Sequence, residues 1–198
     1  MMPVSNGIPW VQTYLGRQLR MPEFNADAIN LAETATVLSR ICRFGGRTEV
    51  FYSVAEHSVR CAELVRDKGY GLFEQFYALN HEGDESLLGF DPPSPLLVLT
   101  PDLKRLKLAA HTAYMNRYGL PVEMPAIVKM VDFVLLSTEK RDLMKPEPMS
   151  WYSMPEPMSW YSIPEPLQAT IVPWSMQEAA ERFINAWHDL SAYRKESR

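Results

Sequence analysis

Apolar residues recur at spacings of three and four along most of this chain, the pattern of helices that bury one face and expose the other. It predicts helices over Ala26–Cys42, Ser53–Asp67, Leu72–Leu88, Pro101–Tyr118, Pro125–Met144 and Ser175–Ala192. Local chemistry marks three of the starts. Ser53 with Glu56, and Ser175 with Glu178, have the S-x-x-E form of a capping box, and Pro101 after Thr100 fits a first helical position, where its missing N–H is not needed. Ahead of these helices, Ile8–Leu19 reads as a short hairpin. The DPPSPLL stretch beginning at Asp91 breaks helix formation twice and reads as a loop. The expected fold class is all-α.

A duplication interrupts the pattern before the last helix. PEPMSWYSM from Pro146 is followed by PEPMSWYSI from Pro155 and a third PEP from Pro164, so residues 146–167 hold a nonapeptide copied in tandem. A segment so rich in proline cannot extend the preceding helix, and an extended, partly aromatic arm is expected. One reading makes it a strap across a neighbouring subunit, anchored by Trp151, Tyr152, Trp160 and Tyr161. The other makes it a duplication tolerated in a surface loop. The copies are too few and too short for a solenoid.

Composition narrows the class. A chain of 198 residues with 46% hydrophobic content can bury one good core, so residues 1–198 are expected to form one domain. No run has the length and purity of a membrane span and the start lacks a secretory pattern, which makes the cytoplasm the expected location. Cys42 and Cys61 lack metal-ligand spacing and both fall in helical patterns, so they read as buried free thiols. A net charge of −4 argues against a surface for nucleic-acid polymers, while leaving room for a local basic pocket that takes one nucleotide.

Candidate chemistry is concentrated between Arg43 and Asp91. There RFGGRTEVFYSVAEHS precedes ALNHEGDESLLGFDPPSP, which sets His57 ahead of a cluster of His81, Glu82, Asp84 and Glu85. Imidazole and carboxylate together are the expected shell of a hydrolytic divalent metal. The capping box at Ser53 mounts His57 in the first turns of a helix. If a helix also runs through FEQFYALNHEGDE, then His81, Asp84 and Glu85 share a face at spacings of three and four, with Glu82 about 100° round from His81. His111 and His188 lie on outer helical patterns and read as structural or exposed. Tyr114 and Arg117 read as facing a subunit contact.

These residues resemble the motif of the HD-domain phosphohydrolases, and most closely the small phage and prophage members that act on deoxynucleotides. In YSVAEHS the resemblance makes His57 the first metal ligand. HEGDE matches the family HDxxE, giving His81 as ligand, Glu82 in the position of the family Asp, and Glu85 as the acidic residue that works with the attacking water. KMVDFVLLSTEKRDLM matches the last element, with Asp132 as ligand and Glu139 and Asp142 further along. WVQTYLGRQL and ATVLSRICRFGG also look like this subgroup, so the resemblance runs from about Pro9 to Asp142. The sequence departs from the pattern twice. Glu82 is one methylene longer than Asp, and the family GDxPxPxK reads GFDPPSPLL here, which leaves Asp91 one residue out of register. The family lysine is missing, and Lys104, Arg105 or Lys107 is left to contact phosphate.

The resemblance implies an HD-type helical bundle that holds a divalent metal (Co²⁺, Mn²⁺, Zn²⁺ or Mg²⁺) on His57, His81, Glu82 and Asp132. It further implies that Arg43 grips phosphate, that Phe44 stacks on the base, and that Gly45, Gly46 and Asp91 complete the substrate pocket. The implied activity is hydrolysis of dATP to deoxyadenosine and triphosphate in a homo-oligomer, a dimer or a hexamer. A 5′-deoxynucleotidase acting on monophosphates and a non-catalytic nucleotide-binding module are the alternatives.

Overall fold

A computed structural model describes residues 7–149 and 164–192, and these are mostly helical apart from one two-stranded hairpin. Strands β1 (Trp10–Gln12) and β2 (Gln18–Arg20) pair antiparallel, with Val11 opposite Leu19. The hairpin turn is tied to the bundle by a buried carboxylate, since Glu33 accepts the N–H groups of Tyr14 and Leu15 at 2.7 and 2.9 Å.

The helix expected over Ala26–Cys42 divides. A 3₁₀ turn spans Ala26–Ala28, Ile29 is extended, and helix α1 runs only from Leu31 to Leu38. The reason is local. The Asn30 side chain accepts the Glu33 N–H at 3.0 Å and starts a new helix in the middle of the apolar pattern. At its other end α1 stops at Leu38, so Cys42 lies outside it and forms an extended bridge with Ser53.

Helix α2 (Val54–Asp67) begins as expected, with Ser53 Oγ accepting the Glu56 N–H at 3.1 Å. The Glu56 carboxylate does not reach back to complete the box. It accepts from Arg60 and from the Trp174 N–H instead. The expected Leu72–Leu88 helix also divides, into α3 (Leu72–Asn80) and the single turn α4 (Glu85–Leu88), with His81–Asp84 in turns between them. In DPPSPLL, only the first residues form a loop. Pro95 lies in the first turn of α5 (Ser94–Leu99), where proline is compatible with a helix.

Helices α6 (Pro101–Tyr118), α7 (Ala126–Leu143) and α8 (Met176–Leu190) follow the pattern to within a residue or two. Helix α2 lies at the centre, packed on α3, α7 and α8, while α1 packs on α8 and α4. One hydrophobic cluster runs through all these layers, from Leu19 in β2 to Phe183 in α8. Trp187 of α8 closes it with edge contacts to Phe76 of α3 and Tyr118 of α6.

The aromatic anchors expected in the duplicated arm, Trp151, Tyr152, Trp160 and Tyr161, lie outside the described residues. The segment that follows is stitched to the bundle through its backbone: Ile171 N–H donates to Asp142 at 2.8 Å and Leu167 N–H to Thr138 Oγ1 at 2.9 Å. Among the described residues, no helix is long and apolar enough to cross a membrane.

Candidate metal centre

Two helices and a turn bring four ligand-type atoms to one point. His57 sits in the first turns of α2, His81 caps the C-terminus of α3, Asp132 lies in the second turn of α7, and Cys61 is one turn beyond His57 on α2. One ligand atom from each lies within 4.8 Å of all the others. His57 Nε2 is 3.4 Å from His81 Nε2, 3.2 Å from Asp132 Oδ1 and 3.5 Å from Cys61 Sγ. His81 Nε2 is 3.9 Å from Asp132 Oδ1.

The hydrogen bonds behind the two rings fix which nitrogen faces inward. His57 Nδ1 meets the Glu139 carboxylate at 2.6 Å, and His81 Nδ1 meets the Ala78 carbonyl at 2.6 Å. Both partners are acceptors, so in the neutral rings Nδ1 carries the hydrogen and both Nε2 lone pairs turn toward the same point. Two such lone pairs buried at this separation repel unless a proton or a cation lies between them. A carboxylate or carbonyl behind the imidazole is the usual support of a metal-bound histidine, and the donor set can hold a metal ion.

The charge around this point has the same sense. Glu82, Asp84, Glu85, Asp91, Asp132 and Glu139 gather around Arg43 and Lys107, an excess of carboxylates over fixed cations. Arg43 is buried between Glu139 at 3.2 Å, Glu82 at 3.5 Å and Asp132 at 4.0 Å. Burial works against ionising Glu82, but Lys107, His81 and Arg43 outweigh it and hold the carboxyl down at about 2. Burial likewise opposes the charge on Asp132, and His57 and His81 override it to lower that carboxyl well below its usual range.

The shared helical face expected for His81, Asp84 and Glu85 does not form, because the helix ends at His81. Asp84 and Glu85 turn to Lys107 of α6, at 3.2 and 2.9 Å, and Asp84 also meets His111 Nδ1 at 3.1 Å. Lys107 is thereby committed to carboxylates, while Arg105 pairs with Asp102 at the surface. Burial, then the neighbouring Glu82, push the Glu85 carboxyl well up, against the pull of Lys107. Its Oε2 is buried with no hydrogen-bond partner among the described residues. Glu82, expected as a ligand, stands 3.8 Å from His81 Nε2 and pairs with Arg43 and Lys107.

His111 is structural, one of the two readings that the pattern left open. Its ring bridges Asp84 and the Val122 carbonyl, whereas His188 is exposed as expected. Tyr114 does not face a subunit. It is fully buried, donates to Asn80 Oδ1 at 2.9 Å and packs on the backbone of Gly83.

Beside the cluster, Arg43–Gly46 forms a 3₁₀ turn in which Phe44 and Gly45 adopt left-handed backbone, φ 55° and 59°. The Phe44 N–H donates to Asp91 Oδ2 at 3.2 Å, and the Arg43 guanidinium lies over the Phe44 ring. This joins the RFGG turn to the loop after α4. Between them opens a recess of about 540 Å³, lined by Arg40, Gly45, Arg47, Phe90 and Asp91 among others. That volume suits a small ligand, and Arg40 and Arg47 bring positive charge to it.

The sequence reading missed Glu139 as the partner of His57 and Cys61 as a neighbour of the histidines. Both had a spacing signal: Glu139 is two turns from Asp132 on α7, and Cys61 is one turn from His57 on α2.

No family model matches the chain. It is 33% identical over 186 residues to the uncharacterized protein YfdR of Escherichia coli K12, across 94% of this chain and 98% of that one. It is also 32% identical over 131 residues to an uncharacterized protein of Rhodobacter capsulatus, across 61% of this chain and 63% of that one.

Proposed function

The chain belongs to the family of the Escherichia coli protein YfdR, and we propose that it is a metal-dependent phosphohydrolase that converts dATP to deoxyadenosine and triphosphate. The observation that carries this reading is the pair of buried histidines whose Nε2 atoms face each other at 3.4 Å beside Asp132, each ring backed by an acceptor. His57, His81 and Asp132 would hold a divalent ion, which would supply positive charge against the phosphate oxygens and lower the pKa of nearby water.

The chain's own residues supply the rest. Arg43, already over the Phe44 ring and among the carboxylates, stabilises charge that builds on the phosphoryl group. Glu85 keeps a high proton affinity and a free Oε2, which suits it to take a proton from water. The water oxygen bonds to the α-phosphorus as the bond from phosphorus to the 5′ oxygen breaks. Deoxyadenosine then leaves as the alcohol and triphosphate leaves intact. The recess of Arg40, Gly45, Arg47 and Asp91 has the size and charge to receive the substrate.

The test is incubation of the purified protein with each dNTP and dNMP, with and without Co²⁺, Mn²⁺, Zn²⁺ or Mg²⁺, and separation of the products by chromatography and mass. Deoxynucleoside plus intact triphosphate, greatest from dATP and abolished by chelator, is expected. Orthophosphate from monophosphates would make the chain a 5′-deoxynucleotidase instead. Nucleotide binding without product under any metal would make it a binding module.

A further inference from the structure

We infer that Cys61, rather than Glu82, closes the metal shell, so that the site is His57–Cys61–His81–Asp132 and prefers thiophilic ions such as Zn²⁺ and Co²⁺ over Mg²⁺. The inference rests on the metal reading above and deepens it.

The geometry is specific. Metal–ligand bonds of about 2.0–2.1 Å to nitrogen, 2.3 Å to sulfur and 2.0–2.2 Å to oxygen, set at tetrahedral angles, place ligand atoms roughly 3.3–3.6 Å apart. From His57 Nε2 the distances are 3.4 Å to His81 Nε2, 3.5 Å to Cys61 Sγ and 3.2 Å to Asp132 Oδ1. Three edges of a tetrahedron are therefore close to size, and the pair with the longer bond, to sulfur, is the longest of the three. The His81–Asp132 edge, at 3.9 Å, needs only a small rotation of the half-buried Asp132 carboxylate.

Glu82 fits the shell less well. Its carboxylate is the nearest alternative and, at 3.8 Å from His81 Nε2, lies no farther from that ring than Asp132 does, but Arg43 and Lys107 hold it from the other side at 3.5 Å each, and it stands outside the set of ligand atoms that all lie within 4.8 Å of one another. A ligand must turn a lone pair to the ion, and these two cations compete for those of Glu82. Among the described residues, Cys61 has no such competitor. It is fully buried, and its sulfur meets His57 Nε2 itself at 3.5 Å. The longer side chain at Glu82 and the thiol at Cys61 are thus coupled features: as the carboxylate swings out to the cations, the sulfur one turn along α2 takes the fourth position. Soft sulfur favours zinc and cobalt, whereas magnesium demands six oxygen ligands near octahedral geometry.

The test is cobalt substitution read by electronic absorption, which reports sulfur ligation without turnover. Wild-type protein loaded with Co²⁺ is expected to show a thiolate-to-cobalt charge-transfer band in the near ultraviolet, together with the intense visible bands of tetrahedral cobalt. Cys61→Ser should lose the near-ultraviolet band, Cys42→Ser should keep it, and Glu82→Gln should keep both the band and one cobalt per chain. Zinc affinity should fall at least tenfold in Cys61→Ser while selectivity against Mg²⁺ narrows. Stoichiometric cobalt without the band in wild type would overturn the inference and leave the metal reading standing. Loss of cobalt in a folded Glu82→Gln would restore Glu82 as the ligand and also overturn it. Failure of wild-type protein to take up cobalt or zinc at all would sink both readings. The wild-type spectrum and the Glu82→Gln variant decide the matter even if Cys61→Ser does not fold.

Discussion

Glu139 is the residue on which the orientation of His57 depends. Its carboxylate is fully buried, takes the Nδ1 hydrogen of His57 at 2.6 Å and neutralises Arg43 at 3.2 Å. Burial disfavours its charge, but Arg43 and His57 prevail and lower the carboxyl's pKa. Glu139→Gln keeps the size and removes the charge, so metal affinity is expected to drop about 10- to 100-fold with the fold intact; a chelator competition titration measures it. Gly83 is decisive in a different way. A Cβ there would stand 2.0 Å from the Tyr114 ring, which cannot retreat because Tyr114 is buried and tied to Asn80. Gly83→Ala should therefore cost about 1–3 kcal/mol or more by overpacking, and a urea titration that showed no loss would mean the turn is free to move. The sequence pattern places the glycine of HEGDE inside a helix; only the ring packed against it shows why a side chain is excluded.

At the scale of elements, the hairpin and α1 stand or fall together. Asn30 caps α1, and Glu33 in its first turn holds the Tyr14 and Leu15 amides. Glu33→Ala is expected to expose those two amides to rapid hydrogen exchange while amides in the middle of α2 keep their protection. Equal loosening of both would mean that the hairpin is integral to the core. The pattern of apolar spacing was enough to find α6, α7 and α8, because each is a long helix whose caps or prolines lie at its ends. It failed at α1 and at the α3–α4 break. There a side chain, Asn30, or the turns at His81–Asp84 interrupt an apolar pattern that continues through them. DPPSPLL misled in the opposite direction, since Pro95 is compatible with the first turn of a helix as well as with a loop.

For the molecule as a whole, metal binding and protonation are linked. Before a metal binds, burial and the nearby Arg43 oppose a proton on His57, but Cys61, then Glu139 and Asp132, outweigh them and raise its pKa well above the usual value. Such a proton stabilises the metal-free fold fully below the unfolded histidine value, about 6.5, and the contribution disappears as pH climbs through the raised folded value. A metal needs the same Nε2, so binding must release protons and apparent affinity must increase with pH. Calorimetric titration with Zn²⁺ in buffers of different ionisation enthalpy should give heats that differ accordingly; equal heats would contradict the linkage. By mass action, bound metal should also raise the melting temperature, and chelator should reverse the rise.

With Asp132 supplied by the family resemblance, the sequence by itself determined the helical class, the hairpin, the limits of the long helices and the presence of His57 and His81 as ligand types. These follow from local rules, since apolar period, caps and residue chemistry are all written within a few residues. Only the tertiary structure decided that Asp84 and Glu85 turn to Lys107, that Glu139 stands behind His57, and that Cys61 rather than Glu82 lies within reach of both histidines. Those outcomes depend on how α2, α3, α6 and α7 cross, and a difference of one methylene or one helical turn is resolved only when packing fixes the distances between them.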